Sequence, residues 1–243
     1  MTLLVLSFAA LFVGAPSFAG AFRLTPMVVQ FASSGPKATQ VITLENPGGE
    51  KVPVQIEIYA RTSDARGEEV RTKTDEFNIY PEQVVLLPNE KRNVRITWAG
   101  EFKDANEKAF RIIASQLPVE LRERNAKPKN SGVNLKFLLQ YVASAYVTPE
   151  GAIAKIRVKD VKSLGAKKIS LVIANEGTAH KVLRAKSLKI YSGDKFLLEI
   201  LSPKEFDSLN LLPGKEQNVE VNLPKEAVGS NLRAELNLWE SGD

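Results

Sequence analysis

His180 is the one histidine of the chain, in the stretch NEGTAH at Asn175–His180, which reads as a surface turn. A Ser-His-Asp relay or a histidine metal site needs companions, and none accompanies it. The chain has no cysteine, so thiolate metal sites and a disulfide framework are excluded together. Asp64, Glu68 and Glu69 in SDARGEEV cluster around Gly67 without the spaced ligands of a calcium loop, and read as a solvated hairpin. The basic stretch RERNAKPK, Arg122–Lys129, lacks the interleaved aromatics on which bases stack, and reads as a solvated loop. Trp98 and Trp239 end strands in the two halves and read as core or interface residues. No glycine-rich phosphate cradle follows a strand. The expectation is a protein that is not an enzyme, with no cofactor or metal, no nucleic acid and no small-molecule substrate.

What remains is the chemistry of the backbone itself. In VNLKFLLQYVASAYV, Val133–Val147, the odd positions Val133, Leu135, Phe137, Leu139, Tyr141, Ala143, Ala145 and Val147 put one apolar face along 15 residues. At ~3.3 Å per residue such a strand spans roughly 50 Å, against a usual ~17–20 Å. One reading is a long bent strand leading into a second domain. The sharper one is an edge that pairs with another chain, since long apolar edges invite association and are normally blunted. Such an edge also permits self-association.

The elements that must position this strand read as β throughout. Apolar alternation recurs every 8–15 residues between turn signals, giving expected strands at Phe22–Ala32, Thr39–Asn46, Val54–Thr62, Glu76–Ile79, Gln83–Leu87, Arg92–Trp98 and Ala109–Leu117. In the second half they fall at Ala154–Lys159, Lys168–Asn175, Leu188–Tyr191, Phe196–Leu201, Gln217–Leu223 and Leu232–Glu240. LLPNEKRNVRI at Leu86–Ile96 returns as LLPGKEQNVEV at Leu211–Val221, and the turn cluster Asn46-Pro47-Gly48-Gly49 is matched by Asn175-Glu176-Gly177-Thr178. Two immunoglobulin-like sandwiches are expected, 22–148 and 149–243, parted at Thr148-Pro149-Glu150-Gly151. Glu123–Gly132 reads as a mobile polar loop.

The first residues, MTLLVLSFAALFVGAPSFAGAF, carry no charge and are apolar from Leu3 to Val13. They read as a secretory signal over residues 1–21, with small-x-small sites ending at Ala19 and Ala21. A retained anchor is the alternative, though the run is short for a span of ~20 residues. The net charge of +5 lies wholly beyond that segment.

Together these features resemble the periplasmic pilus-assembly chaperones of chaperone–usher systems, over essentially the whole mature chain. The strongest stretch is Ile79-Tyr80-Pro81 through Leu87-Pro88-Asn89-Glu90-Lys91-Arg92-Asn93-Val94-Arg95-Ile96, with Glu107 and Phe110 ahead of Leu117-Pro118 as further support. The resemblance implies two immunoglobulin-like domains set as an L, and a periplasmic chaperone that completes a pilus subunit's unfinished sandwich and delivers it to an outer-membrane usher. It makes Leu135, Phe137 and Leu139 the donor residues, with Tyr141 next on the same face and Lys136 the nearest cation on the strand. Family members bind the subunit's terminal carboxylate with an Arg in the first strand and a Lys near the end of the long one. This chain has Val28 and Ser144 at those cleft positions, and Thr148 where an Arg precedes the closing Pro. Either the client is held without that clamp, or the fold serves as an envelope or secreted β-sandwich interaction module that has lost subunit delivery.

Overall fold

Side-chain alternation decides which way each strand faces. In Lys91–Trp98 the residues Val94, Ile96 and Trp98 are buried while Lys91, Arg92, Asn93 and Arg95 stay in water, a period of two that suits a strand with one face on a core. The computed structural model describes residues 22–64, 68–102, 105–119, 138–226 and 231–239. The expected leader at 1–21, the polar loop Glu123–Gly132 and the donor positions Leu135, Lys136 and Phe137 lie outside the described residues.

The first half forms β1 (Arg23–Thr25), β2 (Val28–Ala32), β3 (Thr39–Glu45), β4 (Val52–Ser63), β5 (Glu69–Lys73), β6 (Phe77–Tyr80), β7 (Gln83–Leu86), β8 (Lys91–Trp98), β9 (Lys108–Gln116) and β10 (Gln140–Thr148). One sheet runs β1-β3-β8-β6. The other runs β2-β10-β9-β4-β5, with β7 also paired to β4. Between them lies a core that includes Phe22, Phe31, Ile42, Leu86, Ile96 and Phe110.

The second half forms β11 (Ile156–Ser163), β12 (Lys168–Asn175), β13 (Lys181–Val182), β14 (Ala185–Ser192), β15 (Lys195–Leu201), β16 (Asn210–Leu211), β17 (Glu216–Asn222) and β18 (Leu232–Leu238). Sheets β11-β12-β17 and β15-β14-β18, with the short β13-β16 ladder, enclose a separate core around Ile169, Leu171, Ile190, Phe206 and Val221. The architecture is all-β, two immunoglobulin-like β-sandwiches in sequence.

β5, β13 and β16 were not expected, and two of the expected strands take a different form. The single strand expected at Phe22–Ala32 is split, because Pro26 has no N–H for a ladder and the chain changes sheets there. β1 joins β3 in one sheet, whereas β2 lies parallel to β10 in the other. The expected Val133–Val147 strand is described from Leu138, and its ladder begins at Gln140.

The repeated phrase is held by the same device in both halves. Each copy turns through a left-handed residue, Asn89 at φ 58° and Gly214 at φ 68°, positions that asparagine and glycine tolerate. A buried asparagine at the end of the neighbouring strand then pins the turn. Asn46 Nδ2 donates to the carbonyls of Glu50 (2.7 Å) and Leu87 (3.0 Å), and its Oδ1 accepts from the Gly48 amide at 2.9 Å. Asn175 Nδ2 donates to the carbonyls of Ala179 (2.8 Å) and Leu211 (3.0 Å), and its Oδ1 accepts from the Gly177 amide at 3.0 Å. Gly177 is required for space as well, since a Cβ there would lie 2.2 Å from the Ile153 carbonyl oxygen.

Candidate functional site

β10 turns Ala143, Ala145 and Val147 into the first core, and Leu139 and Tyr141, half-buried, pack against the same core. Tyr141 meets the Phe22 ring edge-on, with centroids 5.0 Å apart. The adjacent Leu138 is exposed. Along one side β10 pairs with β9 over its length, from Gln140 opposite Ser115 to Val147 opposite Lys108. On its other side β2 joins only at Ser144, whose amide donates to the Met27 carbonyl at 2.9 Å. Amides alternate sides along a strand, so Val142 and Gln140 aim theirs the same way as Ser144. Among the described residues no strand pairs there, and Gln140–Ala143 is an open sheet edge.

That edge ends at a row of three residues in register. Val28 on β2 lies opposite Ser144 on β10, and Ser144 lies opposite Arg111 on β9. Val28 is 54% exposed and offers no donor. Arg111 brings a cation to the row, donating from Nη1 to Ser144 Oγ. Its other guanidinium nitrogens grip Glu69, Nε lying 3.1 and 3.2 Å from the two carboxylate oxygens. Arg61 of β4 adds Nε at 2.8 Å and Arg71 of β5 adds Nε at 2.7 Å. The hydrogen bond from Arg111 is the main reason that the Glu69 carboxyl falls from its ordinary 4.5 to about 2; desolvation opposes this, and Arg71 and Arg61 reinforce it. Arg61 and Arg111 are only 15% and 17% exposed, and Arg61 Nη1 is buried with no hydrogen-bond partner among the described residues. The guanidinium groups border a cleft of about 890 Å³ whose far wall, with Asn210, Leu212 and Gln217, belongs to the second sandwich.

The two sandwiches meet beside this cleft around a buried carboxylate. Glu107 Oε1 accepts from the His180 amide at 3.0 Å and faces His180 Nδ1, while Thr148 Oγ1 donates to Oε2 at 2.7 Å. The imidazole stacks on Tyr146 at 3.6 Å, and Asn210 Nδ2 donates to the Tyr146 hydroxyl. His180 therefore does not sit on a surface turn; the first sandwich covers it, and its side chain is 12% exposed. Trp98 is core, ringed by Phe77, Phe102 and Phe110, whereas Trp239 remains partly exposed with Lys186 over its face.

Of the expected site residues, Leu139, Tyr141, Ser144 and Val28 lie along the β10 edge and its closing row. Arg111, Arg61 and Glu69 were not among those expected. Arg111 is visible as the lone charge in the apolar strand AFRIIASQL, but its meeting with Ser144 follows only from the register of β9 on β10.

By sequence, no curated protein matches the chain. By structure, the first sandwich and the second align together with fimbrial chaperones. The chaperone–tip adhesin complex of CFA/I fimbriae biogenesis gives a TM-score of 0.60 at 12% identity, covering 92% of this chain and 94% of the other. The class 5 fimbriae chaperone CfaA gives 0.58 at 14%, with the same coverage of 92% and 94%. The CsuC–CsuE chaperone–tip adhesion subunit pre-assembly complex of Acinetobacter baumannii gives 0.56 at 15%, covering 90% and 97%. At such identities the likeness is one of fold. Residues 21–151, more than half of the sequence, match the PapD N-terminal domain of the pili and flagellar-assembly chaperones, and the chain belongs to that family.

Proposed function

We propose that this pilus-assembly chaperone works in the periplasm, where it lends the edge of β10 to an incomplete pilus or fimbrial subunit and passes the subunit to an outer-membrane usher. Residues 1–21 serve as the export signal, and 22–148 and 149–243 are the two structural units. Leu135, Phe137 and Leu139 enter the subunit's open core, Tyr141 borders them, and Lys136 contributes a cation to the subunit-binding strand. No cofactor, nucleotide or catalytic step is required; main-chain pairing and apolar burial drive the capture.

The observation that carries this reading is the open edge at Gln140–Ala143 ending on a guanidinium-lined cleft. A strand laid along the edge runs toward Ser144, where Arg111 and Arg61 stand in for the missing side chains at Val28 and Ser144 as donors to its terminal carboxylate. The interaction-module alternative drew its support from the lack of a cation at those two positions, and Arg111 removes that motive.

Purification from the periplasm of cells that also produce the neighbouring pilus subunit tests the proposal. A stoichiometric β-rich subunit should accompany the wild type and be lost on changing Phe137→Asp or Leu139→Asp, with circular dichroism showing both variants folded. A client-free protein, or a complex indifferent to both changes, overturns it.

A further inference from the structure

We propose that Glu69 is a resident substitute for the partner's carboxylate, occupying Arg111 and Arg61 until a subunit displaces it. This rests on the reading that a subunit strand docks along β10. The first ground is donor excess. Three guanidinium groups converge on one carboxylate, Arg111 also reaches Ser144, and Arg61 still has a buried Nη1 with no partner among the described residues. Arg61 and Arg111 thus form a carboxylate site with capacity beyond what Glu69 uses.

The second ground is where Glu69 comes from. It opens β5, the last strand of its sheet, which among the described residues pairs only with β4, and Val70, Arg71, Thr72 and Lys73 are all exposed. Withdrawing the Glu69 side chain uncovers no apolar core. Arg111, by contrast, is anchored inside the sheet on β9, paired on both sides with Tyr59 of β4 and Ser144 of β10, and Arg61 follows directly on Ala60, the last β4 residue paired to β9. The anion sits on the exposed edge strand with Arg71, whereas Arg61 and Arg111 sit on interior strands of the sheet, which is the arrangement that exchange of one carboxylate for another at those two residues requires.

The third ground is position. Glu69 bonds the same guanidinium that bonds Ser144, the residue at which β2 closes the open edge. A carboxylate at the end of a strand paired to Gln140–Ala143 arrives beside Arg111 and competes with Glu69 for it. The site is then never left as bare buried cations, a state that carries a desolvation penalty. The apparent affinity for an incoming carboxylate is reduced by the fraction of molecules in which Glu69 is bound.

Acetate tests this without any subunit, so its outcome is independent of whether β10 captures one. The side-chain Nε–H signals of Arg111 and Arg61, followed by nuclear magnetic resonance, should respond to acetate at about tenfold lower concentration in Glu69→Gln than in wild type, and acetamide should leave both unmoved. Glu69→Ala provides a second vacated site should the glutamine retain a hydrogen bond, and backbone dispersion reports folding. If Glu69 instead only holds Arg111 in place, both variants respond to acetate as wild type does or more weakly, and the proposal falls. Failure here leaves the co-purification result standing, whereas a client-free wild type with a positive acetate response refutes the chaperone site and keeps the anion exchange.

Discussion

Replacing Glu69 by Gln should destabilise the first sandwich at neutral pH and do so less as the solution is acidified. The carboxyl falls from 4.5 to about 2 in the folded protein. Taken whole, that converts to about 3 kcal/mol, at roughly 1.4 kcal/mol per tenfold change in proton affinity. The side chain is a quarter exposed, 24%, and its partner Arg71 is 39% exposed, so screening reduces the figure to about 1–2 kcal/mol. The sign is fixed by linkage. A depressed carboxyl contributes its full stability above the unfolded value of 4.5 and loses it as pH falls toward the folded value of about 2. At pH 3 about two-fifths should remain. Trp98, in the first core, reports this sandwich in urea titrations once Trp239 is changed to Phe. Wild type should exceed Glu69→Gln at pH 7 by the stated amount, and the gap should narrow to less than half at pH 3. A gap of equal size at both pH values, or none at pH 7, would show that the three guanidinium groups do not hold Glu69 as an ion and would refute the reasoning. The expected loss of stability in a variant that binds acetate more readily is the trade that a self-occupied site implies.

The asparagine latches give a second expectation. Asn46→Ala removes three short hydrogen bonds at a fully buried site and should lower the stability of the first sandwich by about 2–4 kcal/mol. Asn175→Ala should do the same to the second sandwich, and Trp98 fluorescence should register the first loss and not the second; equal responses would deny that each latch serves its own core. Changing His180 to Ala removes the stacking partner of Tyr146 and one partner of Glu107, at a cost of about 1–2 kcal/mol confined to the contact between sandwiches. Small-angle scattering should then show a wider spread of inter-domain distances while both cores unfold at their original midpoints, and unchanged scattering would count against the latch.

Much of the architecture was legible because alternation and turn chemistry are local. The eight residues of β8 announce a strand by Val94, Ile96 and Trp98 alone, and the paired phrases announce a turn by Asn89 and Gly214, which the structure places at positive φ. Asn46 and Asn175 were legible as turn residues but not as buried latches, since the acceptor that ties each to its turn, the carbonyl of Leu87 or of Leu211, lies 41 or 36 positions away. β5 was folded into the acidic cluster SDARGEEV because EVRTK has no apolar face to betray it. His180 looked exposed because its cover, Tyr146 and Glu107, is supplied by the other sandwich. Nothing in NEGTAH encodes that cover.

The cleft shows most plainly why a position-by-position reading stopped short. Val28, Ser144 and Arg111 occupy one row across three strands, so their side chains share one patch of the sheet face. Adjacent strands lie about 4.8 Å apart, and an arginine side chain spans more than that, so a guanidinium rooted on β9 reaches over the patch at Ser144 of β10. Its presence also constrains its neighbours. A lysine at Ser144 would stand directly across from Arg111, and like charges in that relation are destabilising. A hydroxyl there instead accepts one of the guanidinium's hydrogens and turns the fork toward the cleft. Among Val28, Ser144 and Arg111 the cation of the row therefore comes from β9, and the hydroxyl of Ser144 accepts its hydrogen bond.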